Sequence, residues 1–139
     1  MGKINWARVL LGGLVWGLVA NVLWTIPSFF NYFEEFRIVL QALGRPVPER
    51  SVFVLVGVLF YAFGVVAIWL YAAIRPRYGP GPKTAAVAGL VLWFILALAD
   101  TVWGAVLSLP ISFWATSLGI WLVIMVAATM VGAWLYKEA

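Results

Sequence analysis

Four apolar runs, at about 9–30, 51–74, 83–108 and 113–136, take up most of this chain, and only short polar breaks separate them. About 20 apolar residues in a helix cross the hydrocarbon core of a bilayer, and a helix satisfies its own backbone there. Hydrophobic residues make up 65% of the 139 residues and charged residues 10%, against roughly 45–50% and 25% in globular domains. A soluble domain of this size cannot hide so much apolar surface, so the solvent of most of the chain is lipid. The expected fold is all-α: an integral-membrane, antiparallel bundle of four transmembrane helices in one domain, 1–139, with one short interfacial amphipathic helix.

The breaks carry the punctuation. Residues 75–84 hold Pro76, Pro80 and Pro82 with Gly79 and Gly81, which stop one helix and start the next. Arg75 precedes a proline and is biased away from helix, so a loop is expected as far as Gly81, with Pro82 in the first turn of the third span. The outer turn at 109–112 is very short. Pro27 kinks or ends the first span. That span is long for the apolar region of a signal peptide, and Leu18-Val19-Ala20 is a poor cleavage site, so it is expected to be retained.

The segment 31–43 differs from the spans. Tyr32, Phe36, Val39, Leu40 and Leu43 form one stripe at helical spacing, with Glu34, Arg37 and Gln41 on the other side. Asn31 with Glu34 reads as a capping box, and Gly44, Pro46 and Pro48 end the helix. It is too short to span and is expected to lie in the membrane interface. It either covers the bundle or offers a docking surface to another protein.

Lys3, Arg8, Arg75, Arg77, Lys83 and Lys137 fall on one side of the spans, and Arg37, Arg45 and Arg50 on the other. This split puts both termini and the Pro/Gly turn in the cytoplasm. The net charge of +4 is therefore a topology signal and not a nucleic-acid footprint, because no basic face forms. There is no cysteine or histidine. Disulfides, thiolate nucleophiles, histidine-ligated haem and the usual zinc sites are excluded.

Within the spans, Asp100 is the only charge deep in an apolar run. A carboxylate at the bilayer centre costs roughly 2.5–3.5 kcal/mol on insertion scales, so it is expected to face protein and to have a partner. It is either a proton or cation site, or a packing device bonded to Asn21, Thr101 or a backbone carbonyl. Gly13 and Gly17, Gly57 and Gly64, Gly89, and Gly104 are candidates for close helix packing. Arg75, Arg77 and Lys83 are candidate contacts to anionic lipid. Nine tryptophans and nine phenylalanines suit interfacial anchors, or walls around a pigment, quinone or lipid chain. Without histidine, a chlorophyll would need Asn21, Asp100, water or a backbone oxygen as ligand. The Gly79 to Thr84 segment ends like a phosphate loop but lacks the glycine before Lys83 and the preceding strand. Glu34 and Glu35 are adjacent and do not project together as a catalytic pair.

Spans one and three share Gly-Leu-Val at Gly13 and Gly89, and Ala-x-x-x-Trp frames that align Asn21 with Asp100. Spans two and four share Trp-Leu-Tyr at Trp69 and Trp134. Two related hairpins would explain this, as would chance in so restricted an alphabet. If the hairpins are related, Asn21 and Asp100 lie at similar depth.

The segment LYAAIRPRYGPGPKTA at 70–85, with VLLGGL at 9–14, ALGRP at 42–46 and GAWLYKE at 132–138, resembles a family of small bacterial four-span membrane proteins with no established activity. The resemblance implies four spans and the bacterial inner membrane. The family pattern often has an acidic residue after the first-span Asn, where this chain has Val22-Leu23.

Three functions fit. The first expectation is a non-catalytic accessory subunit of a larger membrane complex, respiratory or photosynthetic, contacting lipids and neighbouring integral subunits. The second is a small homo-oligomeric transporter or channel using Asp100. The third is a lipid, quinone or pigment binding protein. No cofactor and no metal is expected, though a bound lipid or pigment fits.

Overall fold

The computed structural model describes residues 3–138; Met1, Gly2 and Ala139, which belong to the expected domain 1–139, lie outside the described residues. The described chain is helical, with α1 at Trp6–Thr25, a 3-10 turn at Ile26–Phe30, α2 at Tyr32–Ala42, α3 at Arg50–Tyr78, α4 at Pro82–Val106 and α5 at Ile111–Trp134. The first helical run with its 3-10 turn, α3, α4 and α5 are four segments long and apolar enough to cross a membrane. Their outward faces carry Leu14, Val58, Phe94 and Ile95, all more than half exposed. This is a multi-pass membrane protein built as a four-helix bundle.

Local chemistry sets the ends. The Asn5 side chain accepts from the Arg8 N–H at 3.2 Å and caps α1. α1 stops at Thr25, two residues before Pro27, and the chain tightens into the 3-10 turn. Asn31 closes that turn at φ 59°, a left-handed conformation that asparagine tolerates. The expected capping box is therefore not made. A box needs extended backbone at the cap, and Asn31 has none; its side chain caps nothing, and Glu34 instead takes the Arg37 Nε–H at 3.0 Å.

α3 overturns another expectation, because it runs through Pro76 to Tyr78. In the last turn the proline forfeits one backbone bond, and the Gly79 N–H closes the helix on the Arg75 carbonyl at 2.8 Å. The loop shrinks to residues 79–81. Gly79 and Gly81 adopt φ 83° and 123°, where a side chain would be strained. Thr84 Oγ1 donates to the Gly79 carbonyl at 2.7 Å and fastens the turn. Pro82 opens α4 as expected. At the other end Ser108 at φ 52° and a Leu109 N–H to Gly104 carbonyl bond of 2.9 Å terminate α4.

α1 packs along α3, α4 along α5, and α1 meets α5. α3 and α4 are the loosest neighbours, and α1 and α4 stand on the diagonal. Small residues decide these distances. A Cβ on Gly13 would sit 2.7 Å from the Val65 backbone, and one on Gly89 2.7 Å from the Met125 carbonyl, so both Gly-Leu-Val glycines lie at the seam of their own hairpin. Gly17 faces Tyr61, Gly57 faces Asn21, Gly64 faces Gly13 and Gly104 faces the Trp114 ring. All six candidate glycines thus serve contacts inside the bundle. The core they enclose includes Trp16, Ile68, Ile124 and Met125.

Candidate functional site

The amide nitrogen of Asn21 is fully engaged. Its Nδ2 donates to the Gly17 carbonyl at 2.8 Å and the Gly57 carbonyl at 3.1 Å, tying α1 to α3. It does not meet Asp100, because α1 and α4 are diagonal. The expected Asn21–Asp100 contact is wrong: similar depth does not bring residues of diagonal helices together. Thr101 is not a partner either, since its hydroxyl donates to the Ala97 carbonyl at 2.6 Å.

Asp100 is half-buried and lines a cleft of about 220 Å³ with Val56, Leu59, Phe60 and Phe63 of α3, Leu96 of α4, and Trp121 and Met125 of α5. It faces protein on these sides, yet no described residue forms a hydrogen bond with it. It lies six residues before Val106, the last residue of α4, or about 9 Å along the axis at 1.5 Å per residue. The cleft therefore sits toward the α2 end of the bundle.

That end is aromatic. Trp24 stacks on Trp121 at 4.9 Å, and Phe60 meets both rings edge-on. Tyr32 of α2 stacks on Phe113 at 5.4 Å, with Phe36 on the same ring at 6.1 Å. The start of α2 is thus clamped to α5 through Tyr32 and Phe36, while Glu34 and Arg37 pair on the exposed side. The Ser117 hydroxyl donates to the Phe113 carbonyl at 3.0 Å, so the Tyr32 hydroxyl is the donor in its 2.8 Å bond to Ser117. Burial raises the Tyr32 phenol above its ordinary range.

Between α1 with its 3-10 turn, α2 and α5 lies a groove of about 480 Å³. Leu23, Ile26, Pro27 and Phe30 form one wall and Ile120, Val123 and Ile124 the other. Glu35, Tyr32 and Thr116 bring polar groups, and Gly119 has open space where its Cβ would be. No motif in the sequence marks this groove. Its only local signal was Gly119 in a helix face that nothing crosses closely.

The opposite end holds Arg75. Its Nη1 lies 3.2 Å from Glu138 Oε1, and its guanidinium lies 5.6 Å from the centre of the Tyr136 ring. The other two candidate lipid contacts, Arg77 and Lys83, are exposed. A cavity of about 360 Å³ opens beside Arg75.

Among the described residues no three His, Cys, Asp or Glu side chains cluster to hold a metal. Amphiphile-sized apolar spaces with a few polar groups are what the described chain provides. No family model, curated protein or solved structure matches the chain.

Proposed function

We propose that this chain is a non-catalytic membrane protein that holds one amphiphile, a lipid or a quinone-like molecule, in the groove between α1, α2 and α5. The observation that carries the reading is the groove itself. Its volume of about 480 Å³ lies in the range of roughly 300–1,000 Å³ typical of small-molecule sites, and its lining is apolar with few polar groups. An apolar tail fits against Ile120, Val123 and Leu23; a lipid head can donate to Glu35, and a quinone carbonyl can accept from the Thr116 hydroxyl. The accessory-subunit expectation drew on small-residue faces, and those glycines serve the bundle's own seams. A larger assembly would then be joined through the amphiphile and α2.

The resemblance implies residence in the bacterial inner membrane, and the cation split supports an orientation with the Gly79–Gly81 turn cytoplasmic and the groove in the outer half. Labelling of Tyr78→Cys and Val47→Cys in intact cells tests this: Val47→Cys reacts from outside and Tyr78→Cys only after lysis. The reverse pattern contradicts the orientation.

Gly119→Phe tests the groove. Its side chain enters open space, so the fold is retained while the cavity fills. Extraction in mild detergent followed by mass spectrometry should find one retained amphiphile on the native chain and none on the variant. Equal retention by both would refute the groove as the site.

A second reading rests on Asp100, which lines its cleft without a described hydrogen-bond partner. In that reading it carries a proton or cation, and Asp100→Asn abolishes flux in proteoliposomes with the fold intact. Absence of any native flux counts against it.

A further inference from the structure

We propose that the cavity beside Arg75 is a second site, one that binds the phosphodiester of an anionic lipid, and that Glu138 competes for it. Arg75 lines the cavity with Tyr71 and Tyr136, at the end of the bundle opposite the groove. Its Nε and Nη1 are shielded from solvent, and neither has a hydrogen-bond acceptor among the described residues. The Glu138 carboxylate lies 3.2 Å from Nη1 but out of hydrogen-bond alignment. A guanidinium has five donors in a fork suited to a phosphate.

The two phenols extend this pattern. Tyr71 accepts the Gly81 N–H at 3.2 Å, and Tyr136 accepts the Asn5 N–H at 3.3 Å. Each hydroxyl also carries a proton, and no described residue accepts either one. The polar side chains lining the space, Arg75, Tyr71 and Tyr136, therefore present unmet donors. A group with several anionic oxygens answers them; a cation does not, and a neutral amide brings one acceptor oxygen and no charge. The rest of the lining, including Met130, Ala133 and Trp134, is apolar and suits the start of an acyl chain. Arg75 reaches this place because α3 continues through Pro76, whereas Arg77 and Lys83 remain on the exposed turn.

The Glu138 carboxylate stands where a phosphate oxygen would. Neutralising it should strengthen lipid binding, whereas a purely structural ion pair would weaken the fold and leave lipid choice unchanged. The test uses the full chain in nanodiscs of phosphatidylcholine with a minor share of phosphatidylglycerol. Native mass spectrometry counts each lipid retained. The native chain should prefer phosphatidylglycerol roughly fivefold, the scale of one cation at an anionic surface. Glu138→Gln should raise that preference, and Arg75→Gln should abolish it; thermal unfolding checks that both fold. Unchanged preference in Glu138→Gln overturns the proposal even if Arg75→Gln fails to fold. Displacement of the lipid by millimolar inorganic phosphate would overturn the lipid assignment in favour of a free-phosphate site.

Discussion

The α1/α5 seam and the α3/α4 seam each join one helical hairpin to the other, and they are built in opposite ways. At the first, Gly12 and Gly132 bring the backbones together: a Cβ on either would lie 2.7 Å from the other's carbonyl oxygen. There Trp16 Nε1 donates to Thr129 Oγ1 at 2.9 Å, and Thr129 donates to the Met125 carbonyl at 2.6 Å, so every polar group is used. At the second, Val56, Leu59, Phe60 and Phe63 hold the helices apart, and Asp100 faces the resulting cleft without a described partner. In lipid, association depends on close packing because no hydrophobic force separates helix from tail. A seam lined with glycine becomes a rivet. A seam lined with bulky side chains becomes a space for something else.

The largest expected effect breaks the rivet. Gly132→Leu drives a side chain into the Gly12 carbonyl and Ile68, and should cost about 3 kcal/mol or more, at the upper end of overpacking penalties. Gly119→Leu, on the same helix but in open space, should be neutral or slightly stabilising. Equal losses in thermal unfolding would show that α5 does not have one tight and one open face. Trp16→Phe removes the inter-hairpin hydrogen bond and should cost about 1 kcal/mol, the scale of polar contacts between spans. Asp100→Leu should go the other way. With no hydrogen bond to lose, it should raise stability by up to about 1 kcal/mol, below the midplane charge cost because the residue lies near its helix end. A drop in melting temperature would reveal a partner for Asp100.

The smallest effect lies at the α2 clamp. Burial lifts the Tyr32 phenol above its ordinary value of 10.0. The folded state then holds the proton more tightly than the unfolded state, so this contribution is complete below pH 10 and declines as pH rises through the folded value. Tyr32→Phe should flatten that part of the alkaline unfolding profile, and an unchanged profile would count against the buried phenol.

Four spans and a Pro/Gly break before α4 could be read in the chain, because long apolar runs and Pro/Gly pairs have few structural solutions. Helix ends were less legible. Pro76 lies two residues before the end of α3, so it costs one backbone bond and little helix follows it, and the Asn31 side chain caps nothing because its left-handed backbone closes the 3-10 turn. The candidate packing glycines were legible by spacing, but Gly12 and Gly132 were not, since they meet across the two hairpins, a pairing that no spacing within one helix encodes. Asn21 and Asp100 aligned by sequence, yet no sequence pattern tells which helices end up diagonal. The groove was hidden for the same reason, as it depends on how α2 folds back over α1 and α5.

Photo-crosslinking from α5 tests the groove most directly. A photoreactive residue at Val123 faces the groove, while one at Val131 lies on an exposed face of the same helix outside the cavities described. Irradiation in native membranes followed by mass spectrometry should give one dominant amphiphile on position 123 and a bulk lipid mixture on position 131. The same bulk mixture at both positions would mean that the groove is ordinary lipid-facing surface and that the protein does not hold a ligand there.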